Sequence, residues 1–288
     1  MGLSWSSGAT ARRHSGIDSP AHGARGKLTA VVMNVQEMRQ LLLQSFANKL
    51  ELDRAELAEP GVLVVPRDDR AGSAAALAYW ADARLVVWCD PEVDHLLADF
   101  AHNHADATPD RSGLAAWMDA VGFSLIADAD MRILSRTPRS SDVELASDYH
   151  VRSVASHDRR AVQLIGALVE RCDPVDAEEA PYDDLDHLER SAITLIVDDG
   201  PTGEHVVACA SAGAWWWDAQ LADIGVLVHP AHRSRGLARA AVGATAEAIL
   251  RDGRVPLYRH QHSNVASAAV AAVLGFEPAL TMAVHRLR

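Results

Sequence analysis

The 288-residue sequence predicts an α/β protein built on a mixed sheet. Three observations carry that expectation. Short apolar runs rich in Val and Leu stop at Pro, as at Val62–Pro66 and Ala222–Pro230, the mark of buried strands. Longer runs repeat apolar residues three and four apart, the mark of helices laid on a core. The two kinds of run are interspersed along the chain. Apolar residues make up 49%, and the length suits two domains.

The elements follow in order. Residues 1–27 are rich in Gly, Ser, Ala, Arg and His and lack an apolar segment, so they read as a flexible tail rather than a signal peptide. A first domain over 28–136 opens with a helix over 36–50, whose Met38, Leu41, Leu42, Ser45 and Phe46 share a stripe. Val62–Val65, Ala74–Trp80 and Arg84–Cys89 are strands, and Pro66 and Pro91 stop the first and third. Glu92–His102 aligns Val93, Leu96, Leu97 and Phe100 as a helix. Ser112–Val121 is another helix, followed by Gly122-Phe123 and a strand to Leu134. Residues 137–144 are a polar linker containing Pro138.

The second domain, over 145–288, begins with a strand at His150–Val154. Ser156-His157-Asp158 starts a helix carrying Ala161, Leu164, Ile165, Leu168 and Val169. Cys172–Glu189 is acidic, either a solvated face or an attraction for a protonated amine. Ile193–Val197 and His205–Trp217 form a hairpin across Asp198–Glu204. Ala222–Val228 is a strand, and Leu237–Leu250 a helix with Ala238, Ala241, Val242, Thr245 and Ile249 inward. Val255–His260 is a strand, and Asn264–Leu274 a small-residue helix stopped by Gly275.

The two ends of these domains look alike. Helix, Gly122-Phe123 and strand recur as helix, Gly275-Phe276 and strand, and Leu85–Pro91 matches Gly225–Pro230 more weakly. That pattern suggests a duplicated fold.

The net charge of -12 argues against nucleic acid as the main partner. Cys89, Cys172 and Cys209 are far apart, which suits a reducing, cytoplasmic setting. No run of about 18 apolar residues predicts a membrane span. His102-x-His104 and His260-x-His262 lack a third ligand, so no metal is expected. Trp215-Trp216-Trp217 suits packing or a flat acceptor floor.

The stretch that carries chemistry is Ala222–Arg239, ADIGVLVHPAHRSRGLAR. A strand ends at Pro230, a basic loop turns at Gly236, and a helix begins. Unpaired N–H groups and the positive end of the helix dipole then meet Arg233, Arg235 and Arg239. This combination makes a pyrophosphate cradle.

The loop R-S-R-G-L-A resembles the R/Q-x-x-G-x-G/A loop of the GNAT acetyltransferases. Asn264-Val-Ala-Ser267 followed by Gly275-Phe276 is similar to that family's later N-x-x-[SA]…GF helix. The preceding D-I-G-V-L-V-H-P resembles the strand of the ribosomal-protein alanine acetyltransferases. The resemblance spans roughly Leu145 to Arg288 and implies a GNAT fold there. The first domain is then a degenerate GNAT-like copy, in which Glu92, Asp94 and His95 stand where the cradle would be, or an unrelated α/β domain.

The resemblance implies acetyl transfer from acetyl-CoA to an amine of a small molecule or a protein N-terminus. The coenzyme would be held by Val226, Leu227 and Val228 along the strand edge. Arg233, Ser234, Arg235, Gly236, Leu237, Ala238 and Arg239 would grip the pyrophosphate, with Asn264 and Ser267 beyond. The N–H of Val228 would serve the thioester oxygen. Asp223 is the first candidate base, with His260 and His262 behind it. Ala271 stands where many members carry a proton-donating Tyr, which leaves Ser267 as the hydroxyl in that turn. This departure keeps a second reading open, an acyl-CoA-binding regulatory or scaffold protein with weak catalysis. A homodimer is also left open.

Overall fold

The computed structural model describes residues 34–81, 83–134, 145–154, 158–179, 190–200, 203–215 and 218–288. The expected tail, the linker, most of the acidic stretch after Glu179, and Trp216-Trp217 lie outside them.

The first half comprises α1 (Val35–Leu50), β1 (Gly61–Pro66), β2 (Ala75–Ala81), β3 (Arg84–Cys89), α2 (Asp94–Asn103), α3 (Arg111–Ala120) and β4 (Phe123–Ile133). The second comprises β5 (Tyr149–Val154), α4 (Arg159–Val169), α5 (Pro174–Glu179), β6 (Arg190–Gly200), β7 (Gly203–Trp215) and β8 (Asp218–Val228). It continues with α6 (Leu237–Arg251), β9 (Val255–Gln261), α7 (Val265–Leu274) and β10 (Glu277–Leu287). Apart from α5, these are the elements expected from the sequence, with ends moved by a few residues. The mixed α/β fold is therefore as the sequence predicts.

Helix starts follow local chemistry. The side chain of Asn34 accepts from the N–H of Glu37, and Glu37 answers at the N–H of Asn34, a reciprocal cap for α1. Asp158 caps α4 through the N–H groups of Arg160 and Ala161.

The ten strands of the described residues join one sheet in the order β1-β3-β2-β10-β4-β9-β8-β7-β6-β5. The order interlocks the two halves. β4, from the first half, lies between β9 and β10 of the second, antiparallel to both. The two Gly-Phe strands pair with each other from Phe123↔Leu287 to Ile133↔Glu277, a local two-fold arrangement at the centre of the sheet. Gly122 and Gly275 both take positive φ, 93° and 82°, to turn each helix into its strand. Outside this pair the halves differ. β3, like β8, has one parallel and one antiparallel neighbour. Its parallel partner β1 precedes it across the β2 hairpin, whereas β9 follows β8 through α6.

Strand alternation sends side chains to two layers. α1 and α4 cover one face, over Tyr79, Trp88, Met131 and Leu257, and over Leu195, Val206 and Leu227. α2 and α3 cover the other face beside α6 and α7, which pack on Ala222, Ile224, Tyr258 and Phe276. On α6 the inward set is Leu237, Ala240, Ala241, Val242, Thr245, Ala246 and Ile249. Ala238, expected inward, is instead half-buried and borders the cleft described below, because the helix starts at the mouth of that cleft.

Candidate active site

β8 and β9 run side by side only from Leu221–Asp223 to Val255–Leu257. Beyond that they part. β8 continues along β7, and β9 pairs with β4 on its other side. The N–H of His229 bonds to the carbonyl of Val207 at 2.8 Å. Residues two apart in a strand point the same way, so the N–H groups of Leu227 and Gly225 face β7. Those of Val228, Val226 and Ile224 face the gap. Val226 and Val228 are thus placed as the sequence suggests. Leu227 borders the cleft, but its main-chain polar groups turn to β7 and its side chain to α4, so it offers no polar contact.

A cleft of about 630 Å³ fills the gap. One end is the turn into α6. Gly236 has φ 78° and gives α6 no side-chain cap. The N–H groups of Leu237, Ala238 and Arg239 precede the first helical bond, from Ala240 N–H to the Gly236 carbonyl at 3.0 Å, and point out of the helix end. The Nε of Arg239 is buried and has no hydrogen-bond partner among the described residues. An orphaned guanidinium N–H beside an uncapped helix start fits an anionic phosphate group.

The other arginines differ. Arg233 borders the cleft and is ion-paired with Asp176, so this member of the acidic stretch holds the loop. Arg235, expected in the cradle, turns away. Its guanidinium donates to the Tyr149 hydroxyl and, at 3.3 Å, to the Ala231 carbonyl. The Tyr149 ring on β5 draws it there. Ser234 borders the cleft with φ 62°.

The other end is bounded by Ile224, Gly225, Tyr258, Arg259, His260, Gln261 and, from the first half, Ala129. Asp223 lies on the opposite sheet face from Tyr258. Its Oδ2 accepts from Arg259 at 3.1 Å, and its Oδ1 is buried without a hydrogen-bond partner among the described residues. Burial pushes its pKa up and Arg259 pulls it back, with burial the larger effect. Asp223 therefore meets the cleft through Arg259 rather than directly.

His260 does border the cleft, but the Nε of Arg132 donates to its Nε2 at 3.1 Å. That fixes the ring proton on Nδ1, which faces the Gln261 carbonyl at 3.1 Å. No lone pair is left for an amine proton. His262 lies outside the cleft lining, held between Asp128, Asp130 and Arg111.

Asn264 uses its side-chain oxygen to cap α7 at the Ser267 N–H, 3.0 Å. Ser267 borders the cleft, and its Oγ accepts from the Tyr258 hydroxyl at 3.3 Å. Tyr258 is the residue that sequence reading misses. Its one signal was the alternation of Val255–His260, which puts Tyr258 and His260 on one face. Ala271 is fully buried.

Residues 162–276 match the family described as "Acetyltransferase (GNAT) family". These residues form a GNAT domain. The match covers less than half of the chain but includes β8, the α6 turn and α7. The family places the GNAT domain among acyltransferases that draw on acyl-CoA. Among solved structures, a GCN5-related N-acetyltransferase of Kribbella flavida is 21% identical, covers 62% of this chain and 64% of its own, and has a TM-score of 0.40. One from Sphaerobacter thermophilus is 16% identical, with coverage of 70% and 71% and a TM-score of 0.45. A tandem GNAT protein from the clavulanic acid biosynthesis pathway is 19% identical, with coverage of 88% and 95% and a TM-score of 0.48. No curated protein matches the chain. Among the described residues no helix is long and apolar enough to cross a membrane.

Proposed function

We propose that the GNAT domain is a cytoplasmic N-acetyltransferase that moves an acetyl group from acetyl-CoA to a primary amine of a small molecule or a protein N-terminus. The parting of β8 from β9 carries this reading. It turns the N–H groups of Val226 and Val228 into a cleft that ends on the uncapped start of α6.

Each part has a role in that chemistry. Acetyl-CoA supplies a thioester and a diphosphate. The main chain from Ser234 to Arg239, with the side chains of Arg233 and Arg239, would hold the diphosphate. The N–H groups of Val226 and Val228 would donate to carbonyls laid along the strand edge, as an added strand is held. The acceptor amine must lose a proton to react. Asp223 is proposed to take it through an intervening water, since Arg259 stands between its carboxylate and the cleft. The engaged Nε2 of His260 supports this choice.

Ala271 favours a second reading, an acyl-CoA-binding regulatory protein without turnover. Calorimetry and a free-thiol assay with an amine panel separate the two. Acetyl-CoA should bind to the wild type and not to Gly236→Glu, whose carboxylate would face the diphosphate. Thiol release with an amine supports the enzyme, and binding without release supports the regulator. Equal affinity in wild type and Gly236→Glu would remove the cradle.

A further inference from the structure

We propose that Tyr258 gives the departing CoA thiolate its proton, in place of the phenol that position 271 lacks. The proposal rests on the acyltransfer reading above.

Three observations carry it. First, Tyr258 borders the cleft with Ser267, and its hydroxyl donates to Ser267 Oγ over a long 3.3 Å. A bond that long is readily exchanged for a better acceptor. Second, the ring is fixed. It is 1% exposed, its centroid lies 5.4 Å from that of Phe276, and it shares an apolar cluster with Ala271. Both positions belong to that cluster, to which β9 supplies the phenol and α7 only a methyl group.

Third, the surroundings suit the anion that forms. Arg132 of β4 is the cross-strand partner of Tyr258, on the same face. In water a phenol near pKa 10 transfers its proton to a thiolate near 8.5 against a roughly thirtyfold bias. The positive charge of Arg132 on that face reduces the bias, in part offset by Asp130, while its Nε is bonded to His260 Nε2 at 3.1 Å.

The step balances. The amine nitrogen bonds to the acetyl carbon, and the carbon–sulfur bond breaks with its electron pair on sulfur. The amine proton goes to the base. The Tyr258 proton goes to sulfur, giving free CoA thiol, and solvent returns a proton to the phenolate. Tyr258 and Asp223 stand on opposite sheet faces, so donor and acceptor remain separate.

The test compares wild type, Tyr258→Phe and Ser267→Ala, using thiol release from acetyl-CoA with the best amine of the panel and calorimetry with acetyl-CoA. Tyr258→Phe should lower kcat about 100-fold and leave the acetyl-CoA Kd within twofold. It should also abolish the alkaline fall in kcat expected of the wild type. Ser267→Ala should cost less than Tyr258→Phe. A Tyr258→Phe enzyme within threefold of wild-type kcat overturns the assignment, as does an equal loss in kcat and affinity. A wild type that binds acetyl-CoA and releases no thiol with any amine overturns the acyltransfer reading and this assignment together.

Discussion

Replacing Arg239 with Met should change affinity and stability in opposite directions. The Nε of Arg239 is buried and unpaired among the described residues, so the ligand-free protein bears its desolvation, about 1–3 kcal/mol for an unsatisfied polar group. Met keeps the apolar stem and removes that atom. The free variant should therefore be more stable, by about 1 kcal/mol once lost packing of the longer side chain is allowed for. At about 2–4 °C per kcal/mol for a domain of this size, its melting temperature rises. Bound to a diphosphate, the same N–H makes a hydrogen bond to a charged group, worth about 1.5–3 kcal/mol. The variant should thus bind acetyl-CoA about 10- to 150-fold more weakly. Calorimetry and thermal melts of the ligand-free proteins read both effects. Arg235→Met is the control, since Arg235 is engaged with Tyr149 and Ala231, and its affinity should change less than threefold. Unchanged affinity in Arg239→Met would refute the argument, and so would a fall in the melting temperature of the free protein.

Two further outcomes follow from the packing. His285 is 2% exposed, and burial lowers its pKa from 6.5 to about 4. In that window the unfolded chain takes up a proton that the folded chain refuses, so this contribution to stability is whole above pH 6.5 and is lost as pH falls toward 4. The gap is worth about 3 kcal/mol at 1.36 kcal/mol per pH unit. Melts of wild type and His285→Leu from pH 7 to 4 should show a steeper decline in the wild type, and parallel curves would contradict the assignment. The second concerns residues 145–288 expressed alone. Without β4, β9 and β10 lose a shared neighbour, so the fragment should give no cooperative melt. Adding residues 28–136 as a separate chain should restore one, and a cooperative melt of the fragment by itself would refute the interlocked sheet.

What could be read from the sequence was local. Pro230, Gly236 and the Ala-rich run after it define a strand, a turn and a helix within eighteen residues, and the structure keeps all three. The same holds for α7 between Asn264 and Gly275. What stayed hidden depends on distant partners. Arg235 sits in the right loop, but its guanidinium is claimed by Tyr149, far back along the chain. His260 is adjacent to the cleft, yet Arg132 from the other half occupies its acceptor nitrogen. Tyr258 carries no motif of its own, because its place at the cleft depends on where β9 leaves β8. The Gly122-Phe123 and Gly275-Phe276 segments were legible as similar, and their pairing with each other was not, since register is set between strands whose first residues, Phe123 and Glu277, lie 154 positions apart.

The position of β10 between β2 and β4 also bears on synthesis at the ribosome. β2 and β4 emerge early, each with a backbone edge that only β10 will cover. Chains fold as they are made, from the N-terminus onward, so this one keeps two sticky flanks bare until translation of β10 is complete. Chaperones that recognise bare strand flanks would have their longest opportunity here.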